Sequence, residues 1–223
     1  MAEKKKTEMS INIPPPKFEV ATFLLTGNAP YVANKFSQEA REMMRAKQEA
    51  GSQAKKGAKR EPKDFDKGYY GAMHKLADGG HGIPASSFRQ AMVSACRLVG
   101  FKMTLAKLGV FIIADGVDAD DGSPLVRITK GEPRRVDSYV LNETGVADIR
   151  PRPMWDAGWE ALVRVKYDAD LFSPHDIENL LMRVGVQVGI GAGRPDSKQS
   201  CGQGWGTFDV ARVAEDQKKI KAA

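Results

Sequence analysis

Cysteine and histidine are scarce in this chain: Cys96 and Cys201 are its only two cysteines, and His74, His81 and His175 its only three histidines, among 223 residues. Two cysteines cannot build a disulfide framework, which points to a reducing, intracellular setting. No HExxH and no other close histidine pair sets two imidazoles on one helix face for a metal. No apolar run approaches the roughly 20 residues a membrane helix needs. Met1-Ala2-Glu3-Lys4-Lys5-Lys6 has charge but no apolar stretch behind it, so no secretory signal is expected. These absences predict a cytoplasmic protein with no membrane partner, no metal and no cofactor.

What is present suits one soluble domain with an insertion: 42% of the residues are hydrophobic and 28% charged. Net charge is +6, a modest excess whose distribution matters more than its size. Residues 1–16 are charged and end in Pro14-Pro15-Pro16, the pattern of a flexible N-terminal arm with a stiff end. Between Gly51 and Lys63 lie Lys55, Lys56, Lys59, Arg60 and Lys63 against Glu61 alone, with no large apolar residue. Such a segment cannot bury enough surface to offset its ordering entropy, so 51–63 is expected to be mobile when unbound. Residues 214–223 form a basic tail.

Phe18, Val20, Phe23 and Leu25 predict a strand that Gly27-Asn28-Ala29-Pro30 stops. Ser37 opens a capped helix over Glu39–Glu49, with Ala40, Met43, Met44 and Lys47 on one side. A second helix starts at Pro84-Ala85-Ser86-Ser87, buries Phe88, Met92, Cys96 and Val99, and closes at Gly100. Val110–Ile113 is read as a buried strand, and Asp120-Asp121-Gly122-Ser123 as the turn of its hairpin with Leu125–Ile128. Two more strands fall at Val136–Leu141 and Ala161–Tyr167. Ser173-Pro174-His175-Asp176 starts a helix lined by Ile177, Leu180, Leu181 and Val184 and ended by Gly185. Val186–Ile190 and Trp205–Val213 read as strands. The fold class is therefore α+β: a ferredoxin-like (RRM-like) βαββαβ core over 17–213, with a helical and basic lobe inserted at 27–82.

Catalytic chemistry finds little support. His175 sits in a helix first turn, and His81 lies in the turn-like Gly79-Gly80-His81-Gly82. Cys96 falls on an apolar helix face, and Cys201 has no basic or imidazole neighbour to activate it. Asp115, Asp118, Asp120 and Asp121 fail the calcium-loop pattern: counted from Asp118, glycine comes fifth and Thr129 twelfth. They fit a hairpin turn better than a metal site.

The segment Val188–Pro195 looks like a dinucleotide loop, but no helix follows it, and Gly-Lys-Ser/Thr is missing. Six glycines, Gly189, Gly191, Gly193, Gly202, Gly204 and Gly206, imply backbone brought close to something or held at positive φ. Gly82-Ile83-Pro84-Ala85-Ser86-Ser87-Phe88-Arg89, entering a helix that ends near Arg97, resembles the "iPgSslkGalR" segment of the RAMP superfamily, the RNA-binding backbone and processing subunits of CRISPR effector complexes. Gly189–Arg194 with Gly202-Gln203-Gly204-Trp205-Gly206 resembles that superfamily's C-terminal glycine-rich loop. Ala85 and Gln90 depart from it where glycines are usual. The whole chain is also similar to small proteins encoded by phages and prophages, which would place it in a bacterial host cell.

The resemblance implies a nucleic-acid strand lying across the sheet and glycine loop, with copies of the chain polymerising along it. The expected function is non-catalytic binding of single-stranded DNA or RNA by a homo-oligomer. A phage structural or assembly protein that oligomerises without nucleic acid is the alternative, and a metal-dependent nuclease a third class. Phosphates would meet Arg89, Arg97, Arg194, Lys198, Lys55, Lys56, Lys59 and Arg60, with Lys35, Arg41 and Arg45 as a basic edge on the inserted helix. Arg134, Arg135, Arg150 and Arg152 are weaker candidates, and Trp205 and Tyr69 are candidates for stacking on bases.

Overall fold

A computed structural model describes residues 13–49, 51, 62–141, 147–197 and 202–213. The fold is α+β, with antiparallel sheets. Its organising strand is β1 (Phe18–Gly27), whose odd positions Ala21, Phe23 and Leu25 are buried. The short strand β2 (Tyr31–Val32) and two helices, α1 (Gln38–Glu49) and α2 (Phe65–Gly71), follow. Strand β3 (Gly82–Pro84) leads directly into α3 (Ala85–Ala95), which continues as a 3-10 turn through Val99. Gly100 ends it at φ 69°, a value that strains any side-chain-bearing residue. Then come α4 (Met103–Gly109), β4 (Val110–Ile113), β5 (Gly116–Val117), β6 (Pro124–Lys130), β7 (Pro133–Leu141), β8 (Ala147–Trp155), β9 (Glu160–Asp168), α5 (Pro174–Arg183) and β10 (Phe208–Arg212).

In the larger sheet β1 lies between β10 and β9, antiparallel to both, with Phe23 opposite Arg212 on one side and Val163 on the other. The far edge of β9 is shared: β4 pairs with Arg164–Tyr167, and β6 with Glu160 and Ala161. Helices α3 and α5 bury Phe88, Met92, Ile177 and Leu181 in the same core as Phe23, Leu25, Val163 and Val165. Since these strand positions alternate, both helices cover one face of the sheet. The smaller sheet is β2-β8-β7. Tyr31 joins the two sheets, its ring 5.5 Å from that of Trp155 and 5.9 Å from that of Trp159.

Several sequence expectations are corrected. Val110–Ile113 and Leu125–Ile128 are both strands, but they do not form a hairpin with each other; each prefers an end of the longer β9. The turn at Asp118–Ser123 instead joins β5 to β6. Val186–Ile190 is not a strand. Helix α5 widens into a π-helical turn over Val184–Val188, and Gly189, at φ 68°, ends it in place of Gly185. Gly185 is there because its Cα lies against the Phe208 backbone, where a Cβ would overlap the carbonyl. Helix α4 and strand β8 were not anticipated. The start of α5 follows expectation: Ser173 and Asp176 form a reciprocal capping box, with Pro174 in the first turn.

Candidate functional site

Helix α3 and the 3-10 turn after it divide between core and cleft, with Ala91 and Val93 in both. Phe88, Met92 and Ala95 go to the core, while Ser86, Ser87, Gln90, Ser94 and Arg97 line a cleft of about 820 Å³. The cleft's opposite wall is the first glycine segment, Val188–Ala192, with Arg194 and Asp196. Tyr31, Asn34 and His74 also line the cleft, which thus brings together two motifs about a hundred residues apart in the chain.

All six glycines have positive φ, between 68° and 75°. Five of them also face the protein's own atoms. The two glycine segments bond to each other through Ile190 N–H to Gly206 O (3.0 Å) and Gln203 N–H to Gly193 O (2.7 Å). They bond to the β2 region through Ala192 N–H to Val32 O (2.9 Å) and Gly206 N–H to Pro30 O (2.7 Å). A Cβ on Gly191 would meet the Tyr31 ring and the Val32 carbonyl, and one on Gly193 the Trp205 ring. The glycine density thus has an internal reason, close backbone packing, at every position except Gly204, around which there is open space among the described residues.

The basic residues separate. Arg97 pairs with Asp196, whose other oxygen accepts from Ser94 Oγ at 2.6 Å. The Ser94 bond, then the Arg97 guanidinium, hold the Asp196 carboxyl below its ordinary range. Arg194 Nη1 donates to Gly191 O at 3.1 Å. Arg89 Nε donates to Val110 O (2.9 Å), and its guanidinium lies 4.6 Å from the Phe111 ring centroid. Phe111 stands edge-on to Phe18 at 5.9 Å, and the Lys166 ammonium lies 4.9 Å from the Phe18 ring. Phe18, Phe111 and Lys166 fall on the sheet face away from the helices, so Arg89 connects the cleft to that face.

Lys35 is a correction. It precedes α1, and its side chain is 1% exposed, with Nζ 2.5 Å from Asp118 and 2.6 Å from Asp120. A cation enclosed by its own carboxylates is not a surface contact for phosphate. Arg41 pairs with Asp121, and Arg45 with Glu49 at 2.8 Å. Neither residue lines the cleft. Arg134 is bound bidentately by Asp156, Arg135 lies between Asp137 and Asp66, Arg150 pairs with Asp148, and Arg152 is half-buried with Nε unpartnered among the described residues. Tyr69 donates to Pro133 O at 3.1 Å, whereas its neighbour Tyr70 is exposed beneath the Lys75 ammonium. Trp205 is half-buried against Gly193. Lys198, Lys55, Lys56, Lys59 and Arg60 lie outside the described residues.

Sequence reasoning missed the network behind Lys35. Asp118 is fully buried, accepts from Lys35 and the Asp120 N–H, and sits 3.0 Å from His74 Nδ1. Burial alone would lower the Lys35 ammonium, but Asp118 and Asp120 outweigh it and hold it above its ordinary value. Burial likewise opposes ionisation of Asp118, and Lys35 overcomes it. For His74 burial wins over the bond to Asp118, so the imidazole is held neutral. With Asp118 ionised, Nδ1 carries the proton and donates. A depressed histidine contributes stability above its unfolded value of 6.5 and loses it as pH falls below. Melting temperature is therefore expected to drop between pH 7 and pH 5 in thermal scans. His74→Gln should remove part of that drop, and the remainder belongs to His81, which burial against Trp155 also lowers.

Among the described residues no group of three or more His, Cys, Asp or Glu side chains could hold a metal ion. Compared with known proteins, the chain matches no family model and no curated protein sequence.

Proposed function

We propose that the chain is a non-catalytic subunit that binds single-stranded nucleic acid, polymerises along it, and has a ferredoxin-like (RRM-like) core. The strand order β10-β1-β9-β4, with α3 between β1 and β4 and α5 between β9 and β10, supports that core. The observation that carries the function is the cleft. The two segments that resemble the RAMP superfamily motifs form its opposite walls, with Arg97 and Arg194 on it and Lys107 beside them. From there Arg89, Phe111, Phe18 and Lys166 continue onto the sheet as two neighbouring rings flanked by two cations, groups suited to unstacked bases and phosphates.

Anisotropy titrations against single- and double-stranded DNA and RNA test the reading. Tight binding to a single strand with a steep salt dependence is expected, and no binding to any of the four at low salt overturns it. The double variant Arg97→Ala, Arg194→Ala should flatten the log–log salt slope by about 1.4, since each phosphate contact on a single strand contributes about 0.7.

One observation favours the alternative, an assembly protein that oligomerises without nucleic acid. Arg41, Arg45, Arg97, Arg127, Arg134, Arg135, Arg150 and Arg164 are already paired with carboxylates. The same anisotropy titrations separate the two, since the assembly reading expects oligomers that bind none of the four nucleic acids.

A further inference from the structure

Two of the exposed apolar surfaces among the described residues differ in shape. One is a ridge. Helix α1 buries none of its twelve residues, and Met43 (57% exposed) and Met44 (49%) stand on the side that Ala40 and Lys47 share. The other is a groove of about 760 Å³ between the 3-10 turn after α3 and helix α5. Cys96, Phe101, Phe172 and Leu180 form its floor, and Val99 and Val186 stand exposed on its rim. Helix α1 is tied through Arg41 to Asp121 and through Glu39 to Lys67, and neither Asp121 nor Lys67 lines the groove.

We infer that α1 of one copy docks in the groove of the next, antiparallel to α5, so that copies chain head to tail. The charges at the two surfaces match in this sense. The groove carries Asp176 in the first turn of α5 and Arg183 in its last, seven residues or about 10.5 Å apart along the axis. The ridge carries Glu39 in its first turn and Lys47 in its last, eight residues or about 12 Å apart. Laid antiparallel, Lys47 meets Asp176, whose Oδ2 is taken by the Ser173 cap, and Glu39 exchanges Lys67 of its own chain for Arg183. Lys47 makes no ion pair within the described chain, so it needs no exchange of partners. The methionines suit an irregular groove because their side chains are unbranched and adaptable. Ridge and groove are different patches, so the contact is heterologous. It leaves one of each unfilled at the two ends and extends by addition.

This contact rests on the polymerising part of the reading above, and it is tested without nucleic acid. Full-length protein freed of nucleic acid is followed by sedimentation velocity across concentration. The native chain is expected to give species that lengthen with concentration, while Met43→Glu and Val186→Glu are each expected to stay monomeric. Both positions are exposed, so neither change disturbs the core. An equimolar mixture of the two variants decides the matter: each retains the surface the other has lost, so it must give a one-to-one dimer and nothing longer. A mixture that stays monomeric, a variant with native size distribution, or a native chain that is monomeric throughout overturns the contact. Met44→Glu and Met182→Glu form a second pair should one of the first misfold. Anisotropy with an oligonucleotide too short for two copies separates the readings. Native affinity in the monomeric variants keeps strand binding apart from self-contact, and no binding by the native chain sinks only the strand-binding reading.

Discussion

Lys35→Met is expected to cost the fold about 3–5 kcal/mol, the range found when one partner of a buried ion pair is removed. Methionine keeps much of the apolar stem, so little of the loss is packing. The cost comes from Asp118, whose side chain is fully buried and would retain only the Asp120 N–H and His74 as donors. Three segments meet at this carboxylate: the stretch before α1, the stretch after α2, and the turn between β5 and β6. Lys35 also donates its backbone N–H to Ala72 O at 3.2 Å, so the ammonium and the backbone fix the same joint. The variant should change its pH response as well. Without the ammonium, the Asp118 charge favours the imidazolium of His74, so the drop in stability between pH 7 and pH 5 should shrink or reverse. Urea unfolding at pH 7.5 measures the first effect and scans across pH the second. Adding Asp118→Asn to the variant removes the stranded charge and should restore part of the loss. A single-variant loss under about 1 kcal/mol would mean that Asp118 finds water or protonates at little cost.

What the sequence disclosed and what it hid divide along the line between local and distant causes. The capping box at Ser173 and Asp176 acts within one turn, and the alternation of Phe23 and Leu25 reports one buried face. Both are written in neighbouring residues. Pairing partners are not. Nothing in Val110–Ile113 or Leu125–Ile128 tells that both will choose β9, because period 2 marks a strand without marking its neighbour. Strand β8 was obscured by Pro151 and Pro153, which ordinarily argue against a strand. They occupy alternate positions opposite Asp137 and Arg135, so both missing donors fall on the same edge. The basic residues of α3 and the glycine loop were visible from composition, but their wall-to-wall placement was not. Asp118, Lys35 and His74 gave no signal at all, since an aspartate in a turn and a lysine before a helix look solvated until the fold encloses them. The glycines fall between these cases. Positive φ could be expected from their number, while the surface they approach, the protein's own backbone, could not.

That internal reason makes two glycines separable by experiment. Gly206→Ala places a Cβ onto the Ile190 carbonyl at a residue with φ 70°, so the second glycine segment must move. Movement breaks Ile190 N–H to Gly206 O and Gly206 N–H to Pro30 O, two bonds that clamp the segments to each other and to the residues before β2. Each bond contributes about 1 kcal/mol and the left-handed conformation costs a further 1–2 kcal/mol, so a loss of about 3–4 kcal/mol in unfolding free energy is expected. The cleft wall at Gly189 and Gly191 shifts with it, and single-strand affinity should fall at least about tenfold, the equivalent of 1.4 kcal/mol. Gly204 has a similar φ of 74° but open space around it. Asparagine tolerates that conformation better than other side chains do, so Gly204→Asn should cost under about 1 kcal/mol. Gly204 does not line the cleft, so a strand held between Arg97 and Arg194 leaves affinity unchanged in that variant. Weakened binding at unchanged stability would instead move the strand's path onto the second glycine segment, where Gly204, which meets no described atom of the protein, would be kept open for a ligand.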